Sequence, residues 1–454
     1  MNFKIKDIIK LCNGTLICGN EEEFLTALSR DTRTIQSGET YLGIKGENFD
    51  GNLLVKEAIE KGAKICVLES FDNDFKIPND ISIVLVENTI KALQQLATYK
   101  RRHLNIPIVA ITGSVGKTST KEMIASVLEQ KYTVLKTLGN YNNDLGLPLT
   151  ILRYTNEEVM VLEMGMNHLG EISVLSNIAK PTISVITNVG TAHIGLLGSR
   201  ENILKAKLEI LDGMDETGLF IYNQDNDMLK EMTNPQIKTN TFSIHEASDN
   251  QATHIKEVDE HLIYEVNGIT IEVPIASEAF IYNSLAAYAV GCSLGLTTTE
   301  IQKGVFAFQS TGNRMKKEEV QGITFINDSY NANLEAMTSA LEFLQKEKGT
   351  RKIAVLGDML ELNEFSEELH RKVGELVVQN KIDYLYLNGQ YSKYIKDEAI
   401  KKGMKENTIF YFDDKEELAQ HLKNQMQIGD TVLLKASNSL KFSSILDAIK
   451  AEKF

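Results

Sequence analysis

Short apolar runs recur along the chain, and between them apolar positions return every three to four residues. Ile108–Ile111, Val159–Leu162, Ile183–Ile186 and Gly218–Tyr222 read as strands buried on both faces, separated by helical segments. That alternation predicts a mostly parallel sheet covered by helices. Residues 1 to about 100 repeat it on a smaller scale: a strand at Tyr41–Ile44, a helix over Leu53–Lys61, a strand at Lys64–Leu68 and a helix from Thr89 to His103. From about Gly312 the pattern returns, with strands at Ile323–Ile326, Lys352–Leu356, Tyr384–Leu387, Ile409–Phe412 and Thr431–Leu434. Residues 253–275 read as hairpin segments, with a turn at Asn267-Gly268. Asn105-Ile106-Pro107 reads as a linker, so three α/β domains are expected at 1–104, 105–311 and 312–454.

Composition changes this picture little. A chain of 454 residues, 43% of them hydrophobic, is too long for one core. The net charge of −14 leaves no basic footprint for nucleic acid or an anionic membrane. No apolar run approaches 18 residues, and lysines interrupt the N-terminal stretch, so neither a membrane span nor an export signal is expected. Cys12, Cys18, Cys66 and Cys292 have neither metal-cluster nor disulfide spacing and read as reduced core thiols of a cytoplasmic protein.

Chemistry concentrates where Ile108–Thr112 runs into Gly113-Ser114-Val115-Gly116-Lys117-Thr118-Ser119. An apolar strand, a glycine-rich turn and a helix (about Ser119–Lys131) form a phosphate cradle: backbone N–H groups face the anion, Lys117 supplies a cation to the outer phosphates, and the Thr118 hydroxyl can reach Mg²⁺. The strict eight-residue pattern wants glycine where Ile111 stands, so this is a T-G-x-x-G-K-T variant. A nucleoside triphosphate is the expected ligand.

Other candidates follow strand ends, where open α/β sheets bind ligands. Glu163 closes Val159–Leu162 and is either a surface carboxylate or a metal ligand beside Thr118. Asn188 and His193 follow Ile183–Ile186; His193 is a loop histidine or a ligand. On a wheel of about 100° per residue, Glu201, Lys205 and Glu209 form a charged stripe, and Lys207 falls among Ile203, Leu204, Ala206, Ile210 and Leu211. An ammonium there must snorkel, be paired, lose its proton or be modified. Ile323–Ile326 runs into Asn327-Asp328-Ser329-Tyr330-Asn331-Ala332-Asn333, polar enough for a site, and Arg314 sits just upstream, as a surface residue or as a nucleotide contact brought in by domain closure.

Together these residues resemble the Mur ligases of peptidoglycan synthesis over nearly the whole length. The resemblance runs from Asp31-Thr32-Arg33 and the 46–51 loop through 113–120, 139–143, Leu162–Asn167, 188–193, 206–209 and Asn327–Asn333 to Gly357–Leu362. Glu163-Met164-Gly165-Met166-Asn167, Asp328–Asn333 and Gly357–Leu362 point to the branch that adds D-alanyl-D-alanine to a UDP-N-acetylmuramoyl-tripeptide. The resemblance implies a small UDP-binding first domain, a central ATP-binding domain and a Rossmann-like third domain. It implies ATP and two Mg²⁺ ions, one on Thr118 and Glu163, the other on His193 and a carbamylated Lys207. Lys117, His193 and Lys207 would be catalytic; Gly113, Ser114, Gly116, Lys117, Thr118, Ser119, Asn283, Arg314 and Asp328 would hold the nucleotide. Thr32, Gly46, Glu47, Asn48, Asp50, Asn142, Asn143, Asn331 and Asn333 would meet substrates. A monomer is expected.

Four positions depart from the family pattern: Asn52 where His is frequent, Leu334 where Pro is usual, and Ala436 with Asn438 where Lys-Gly-Ser-Arg is common, which touches the dipeptide contacts. A relative adding the third amino acid would carry an Asp-Asn-Pro-Arg-like motif, absent here. A folylpolyglutamate synthase would lack the first domain, and a binding module would not turn over.

Overall fold

The computed structural model describes residues 3–46, 48–72, 76–232 and 236–451. Its central sheet has seven parallel strands, in spatial order Asn250–Gln251, Lys238–Ser243, Leu219–Asn223, Ile183–Ile186, Ile108–Thr112, Val159–Glu163 and Val134–Lys136. All five residues of Ile108–Thr112 are buried, as a strand covered on both faces requires. Helices Lys117–Leu128 and Glu278–Ser293 cover one face, and Thr89–Arg102, Gly146–Leu152, Glu171–Ala179 and Arg200–Leu208 pack in the core on the other. The chain runs outward from Ile108–Thr112 first to one side and then to the other. The strand order therefore reverses beside that strand, and a crevice opens at the C-terminal strand ends. Register puts Ile111 opposite Glu163 and Thr112 opposite Ile186, so the three loops that follow begin side by side.

The N-terminal sheet is ordered Thr15–Cys18, Ser82–Leu85, Ile65–Leu68, Thr40–Leu42, Leu28–Ser29, with its first strand antiparallel. Its last helix, Thr89–Arg102, ties it to the central domain through helix-end chemistry. The Lys100 ammonium donates to the carbonyls of Leu152 (2.9 Å) and Tyr154 (2.6 Å), and the Arg101 guanidinium to those of Ala179 (2.6 Å) and Lys180 (2.9 Å). Both cations thus meet carbonyls that helix ends leave without intrahelical partners.

The hairpin region holds the antiparallel strands Thr253–Val258, His261–Val266 and Ile269–Val273, with Asn267 (φ 49°) and Gly268 (φ 77°) both left-handed, as a two-residue primed turn demands. The C-terminal sheet is ordered Lys316–Val320, Ile323–Asn327, Thr431–Lys435, Lys352–Gly357, Tyr384–Asn388, Ile409–Phe412, parallel except for its first strand. One sequence expectation needs correcting. Cys12 and Cys66 are buried free thiols, but Cys18 is only partly buried and Cys292 is exposed: its helix is buried through Gly291 and emerges at its last turn.

The turn after Lys352–Gly357 is fastened by the fully buried His370. Its Nε2 accepts the Met359 N–H (3.0 Å), so Nδ1 carries the proton and donates to the Ser366 carbonyl (2.6 Å). Burial lowers the imidazole pKa, opposed by the Ser366 bond and by the Asp358 carboxylate 4.0 Å away. A depressed folded pKa means that the unfolded chain takes up the proton first. The contribution is therefore whole above the unfolded pKa of about 6.5 and is lost as pH falls toward the folded value. Melting followed between pH 7.5 and pH 5 is expected to fall more steeply for wild type than for His370→Gln, the single-proton limit being about 1.4 kcal/mol per pH unit. Parallel slopes would remove His370 as the titrating group.

Candidate active site

The phosphate loop turns at Gly116, whose φ of 84° suits glycine, and the helix begins at Lys117, two residues earlier than the sequence suggested. Asn188, at the end of the neighbouring strand, braces the loop: its Oδ1 accepts from the N–H groups of Ser114 (3.0 Å) and Val115 (2.9 Å). Thr187 Oγ1 donates to the Val115 carbonyl (2.6 Å), and the Ser114 hydroxyl accepts from Gly190 N–H (2.9 Å). The Lys117 ammonium donates to the Gly113 carbonyl (2.8 Å). Burial pushes its pKa down, the Glu163 carboxylate opposes this, and the Arg314 charge adds to it.

Around Thr118 the loops converge. Its hydroxyl donates to Glu163 Oε2 (2.8 Å) and accepts from Arg314 Nη2 (2.9 Å), which comes from the C-terminal domain. Glu163 is 2% exposed; its other oxygen accepts from Asn142 Nδ2 (2.9 Å), and its N–H donates to Thr137 Oγ1 (3.0 Å). The Arg314 guanidinium lies 3.7 Å from the centre of the Tyr330 ring. Asp328 accepts from Met315 N–H (3.1 Å) and from the buried Lys435 ammonium, which also donates to the Asn331 carbonyl (3.0 Å). On the helix behind the cradle, Asn283 accepts from Thr120 Oγ1 (2.9 Å). Asn143 accepts from Gly146 N–H, and Asn333 caps Leu334–Lys346 while its Nδ2 reaches the Ser114 carbonyl (3.4 Å). A cleft of about 750 Å³ joins these groups. Ser114, Gly116–Ser119, Asn142, Asn143, Glu163, His193, Asn283, Arg314, Asp328, Asn331 and Asn333 all border it.

Lys207 stands where the wheel put it: 2% exposed on helix Arg200–Leu208, with Lys205 exposed beside it. Burial and the nearby Lys117 charge press its pKa well below the ordinary lysine value, and Glu335 opposes them. His193 Nδ1 lies 2.6 Å from Glu361 Oε2, without hydrogen-bond alignment, and that contact draws the Glu361 carboxyl below its usual range.

A second cleft, of about 1270 Å³, opens between the N-terminal and central domains. Thr32 lines it with Arg30, Asp31, Arg33, Glu57 and Tyr141; Arg33 and Asp31 form a two-pronged ion pair (2.9 and 2.6 Å). Gly46, Asn48 and Asp50 do not. Gly46 N–H bonds the Phe49 carbonyl (2.8 Å) and Asp50 caps the turn Gly51–Leu54; among the described residues of this loop, Phe49 lines the cleft. Glu47 lies outside the described residues. Glu335 and Lys435 were not singled out as site residues, whereas Asn188 was marked by the strand-end rule that also found Glu163. Glu335 looks like any acidic residue in a helix's first turn.

Three family models match the chain: Mur ligase family, catalytic domain, at residues 25–101; Mur ligase middle domain at 111–291; and Mur ligase, glutamate ligase domain, at 313–438. The UDP-N-acetylmuramoyl-tripeptide–D-alanyl-D-alanine ligase of Bacillus subtilis (strain 168) is 36% identical, covering 97% of both chains. The enzyme of the same name from Escherichia coli (strain K12) is 34% identical over 94% of each. Among solved structures, MurF from Acinetobacter baumannii superposes with a TM-score of 0.87 at 27% identity, covering 99% of both chains. MurF ligase from Thermotoga maritima in complex with ADP does so at 0.82 and 30%, covering 94% of this chain and 97% of that one. The chain belongs to the Mur ligase family.

Proposed function

We propose that this ligase joins the terminal carboxylate of a UDP-N-acetylmuramoyl-tripeptide to the amine of D-alanyl-D-alanine, at the expense of ATP, in the cytoplasm. The observation that carries the reading is the Thr118 hydroxyl, held at once by Glu163 and by Arg314 from the C-terminal domain. The phosphate loop is thereby completed only when both domains meet. Full-length likeness to relatives named for this reaction supplies the substrates.

A carboxylate is a poor electrophile because its oxygen does not leave. Transfer of the γ-phosphoryl group to it gives an acyl phosphate, which the dipeptide amine attacks, and phosphate departs. Gly113–Ser119 would cradle the phosphates, with Lys117 matching charge on the transferring group. Asn283 would face the base, and Arg314 with Asp328 would close over the nucleotide and exclude water from the acyl phosphate. The 1270 Å³ cleft would take the UDP end of the precursor, with Thr32 on its wall. Asn142, Asn143, Asn331 and Asn333 face the central cleft, where the reacting ends must meet.

The donor set fits Mg²⁺. Thr118 and Glu163 offer hard oxygens 2.8 Å apart on the border of the central cleft, the kind of partial ligand set used by an ion that keeps waters and phosphate oxygens as its other ligands. His193 and Lys207 would hold a second ion if the Lys207 amine carries a carbamate. Bound there, Mg²⁺ supplies charge neutralisation on the phosphoryl oxygens.

Phosphate release measured with precursors ending in diaminopimelate or in lysine, each with and without D-alanyl-D-alanine, tests the reading. Release is expected only when one precursor and the dipeptide are both present. Release that ignores the dipeptide, or none with either precursor, would overturn it.

A further inference from the structure

Besides the contacts of Arg314 and Asn333 with the phosphate loop, the C-terminal domain makes a group of contacts with one short piece of the central domain, the segment Gly190–Gly195. The Glu335 carboxylate accepts from Thr191 N–H (2.9 Å) and Thr191 Oγ1 (3.0 Å). Glu361 brings its carboxylate to His193 Nδ1 and its carbonyl to Gly195 N–H (3.1 Å), and Asn363 Nδ2 donates to the Gly195 carbonyl (2.6 Å). Three residues of this contact, His193 (φ 63°), Glu361 (φ 64°) and Asn363 (φ 44°), hold left-handed backbones without being glycine. Such conformations cost on the order of 1 kcal/mol or more each and persist where surroundings impose them.

The two glycines explain how the domains come so close. A Cβ on Gly195 would stand 2.5 Å from Leu362 C and 2.7 Å from Asn363 N, both backbone atoms with no room to yield. A Cβ on Gly190 would meet the Glu335 carboxyl carbon at 2.4 Å. Gly195 lies inside the short helix Ile194–Leu197 and is not among the positive-φ glycines, so the central domain itself does not require glycine there.

We propose that Gly190–Gly195 is the docking seat of the C-terminal domain, and that Glu361, once seated, is a positioning residue that orients the His193 imidazole. Closure and the alignment of His193 are then one event. A nucleotide bound without closure meets a His193 ring that is free to turn. The inference rests on the proposed reaction only in that His193 belongs to its site; scattering and resonance measurements test it without turnover.

Small-angle scattering of the full chain with saturating non-hydrolysable ATP analogue and Mg²⁺ should give a larger radius of gyration for Gly195→Ala than for wild type. The variant's melting temperature should not fall, because alanine suits a helical backbone at least as well as glycine. Turnover of Gly195→Ala should drop on the order of a hundredfold, the scale of a misplaced catalytic geometry. Glu361→Gln should keep the wild-type radius and shift the ¹⁵N imidazole resonances of His193, identified by their loss in His193→Gln; kcat should fall with little change in the KM for ATP. A Gly195→Ala radius equal to wild type overturns the docking seat whatever its turnover. Unmoved His193 resonances in Glu361→Gln overturn the positioning role.

Discussion

Replacing Lys117 with alanine is expected to lower turnover at least about a hundredfold, the low end for loss of a preorganised charge at a transition state, while the fold survives. The ammonium sits at the first residue of the cradle's helix, within 2.8 Å of the Gly113 carbonyl, in a cleft it shares with Arg314. Folding gains little from that position, since burial and the Arg314 charge both work against the protonated form and only Glu163 favours it. A group held where its charge is disfavoured is better explained by a ligand than by stability. Phosphate release by purified Lys117→Ala, alongside its circular dichroism melt, checks both halves. Near-wild-type turnover would remove Lys117 from the phosphate site, and collapse of the melt would assign it a structural task instead.

The strands that carry the site were legible because the sheet buries both of their faces, which leaves unbroken apolar runs such as Ile108–Ile111 and Val159–Leu162. Lys316–Val320 was not. It is an edge strand reading Lys-Lys-Glu-Glu-Val, and its pairing with Ile323–Asn327 comes from the hydrogen-bond ladder rather than from side-chain burial. Lys238–Ser243 escaped for the same reason, its first residues being exposed. Glu163 and Lys207 could be found one at a time, the first by its place at a strand end and the second by a charge in an apolar arc. Contacts between domains could not: nothing local in Glu335 or Glu361 says that each will sit on a turn well over a hundred residues away. The 46–51 loop was marked by the family resemblance alone; in the fold, Asp50 gives its carboxylate to the N–H and side-chain amide of Asn52.

The largest effect is expected at Lys207. Its side chain is 2% exposed, and burial together with the Lys117 charge drives its pKa well below that of an ordinary lysine, which shifts the balance toward the free amine. A free amine can add carbon dioxide: the nitrogen lone pair forms the N–C bond, a proton leaves, and the product is a carbamate anion with two oxygen donors. That anion would reverse the sign of the charge beside Lys117 and answer the burial problem that the ammonium poses. Lys207→Ala should therefore lose most of its activity, and acetate added at high concentration should restore part of it by placing a carboxylate in the vacated space. Lys205→Ala, on the exposed side of the same helix, should behave like wild type. Phosphate release by the two variants, with and without acetate, makes the comparison. Equal loss in both, or full activity in Lys207→Ala, would contradict the carbamate role; loss confined to Lys207 with partial recovery in acetate is what the buried amine calls for.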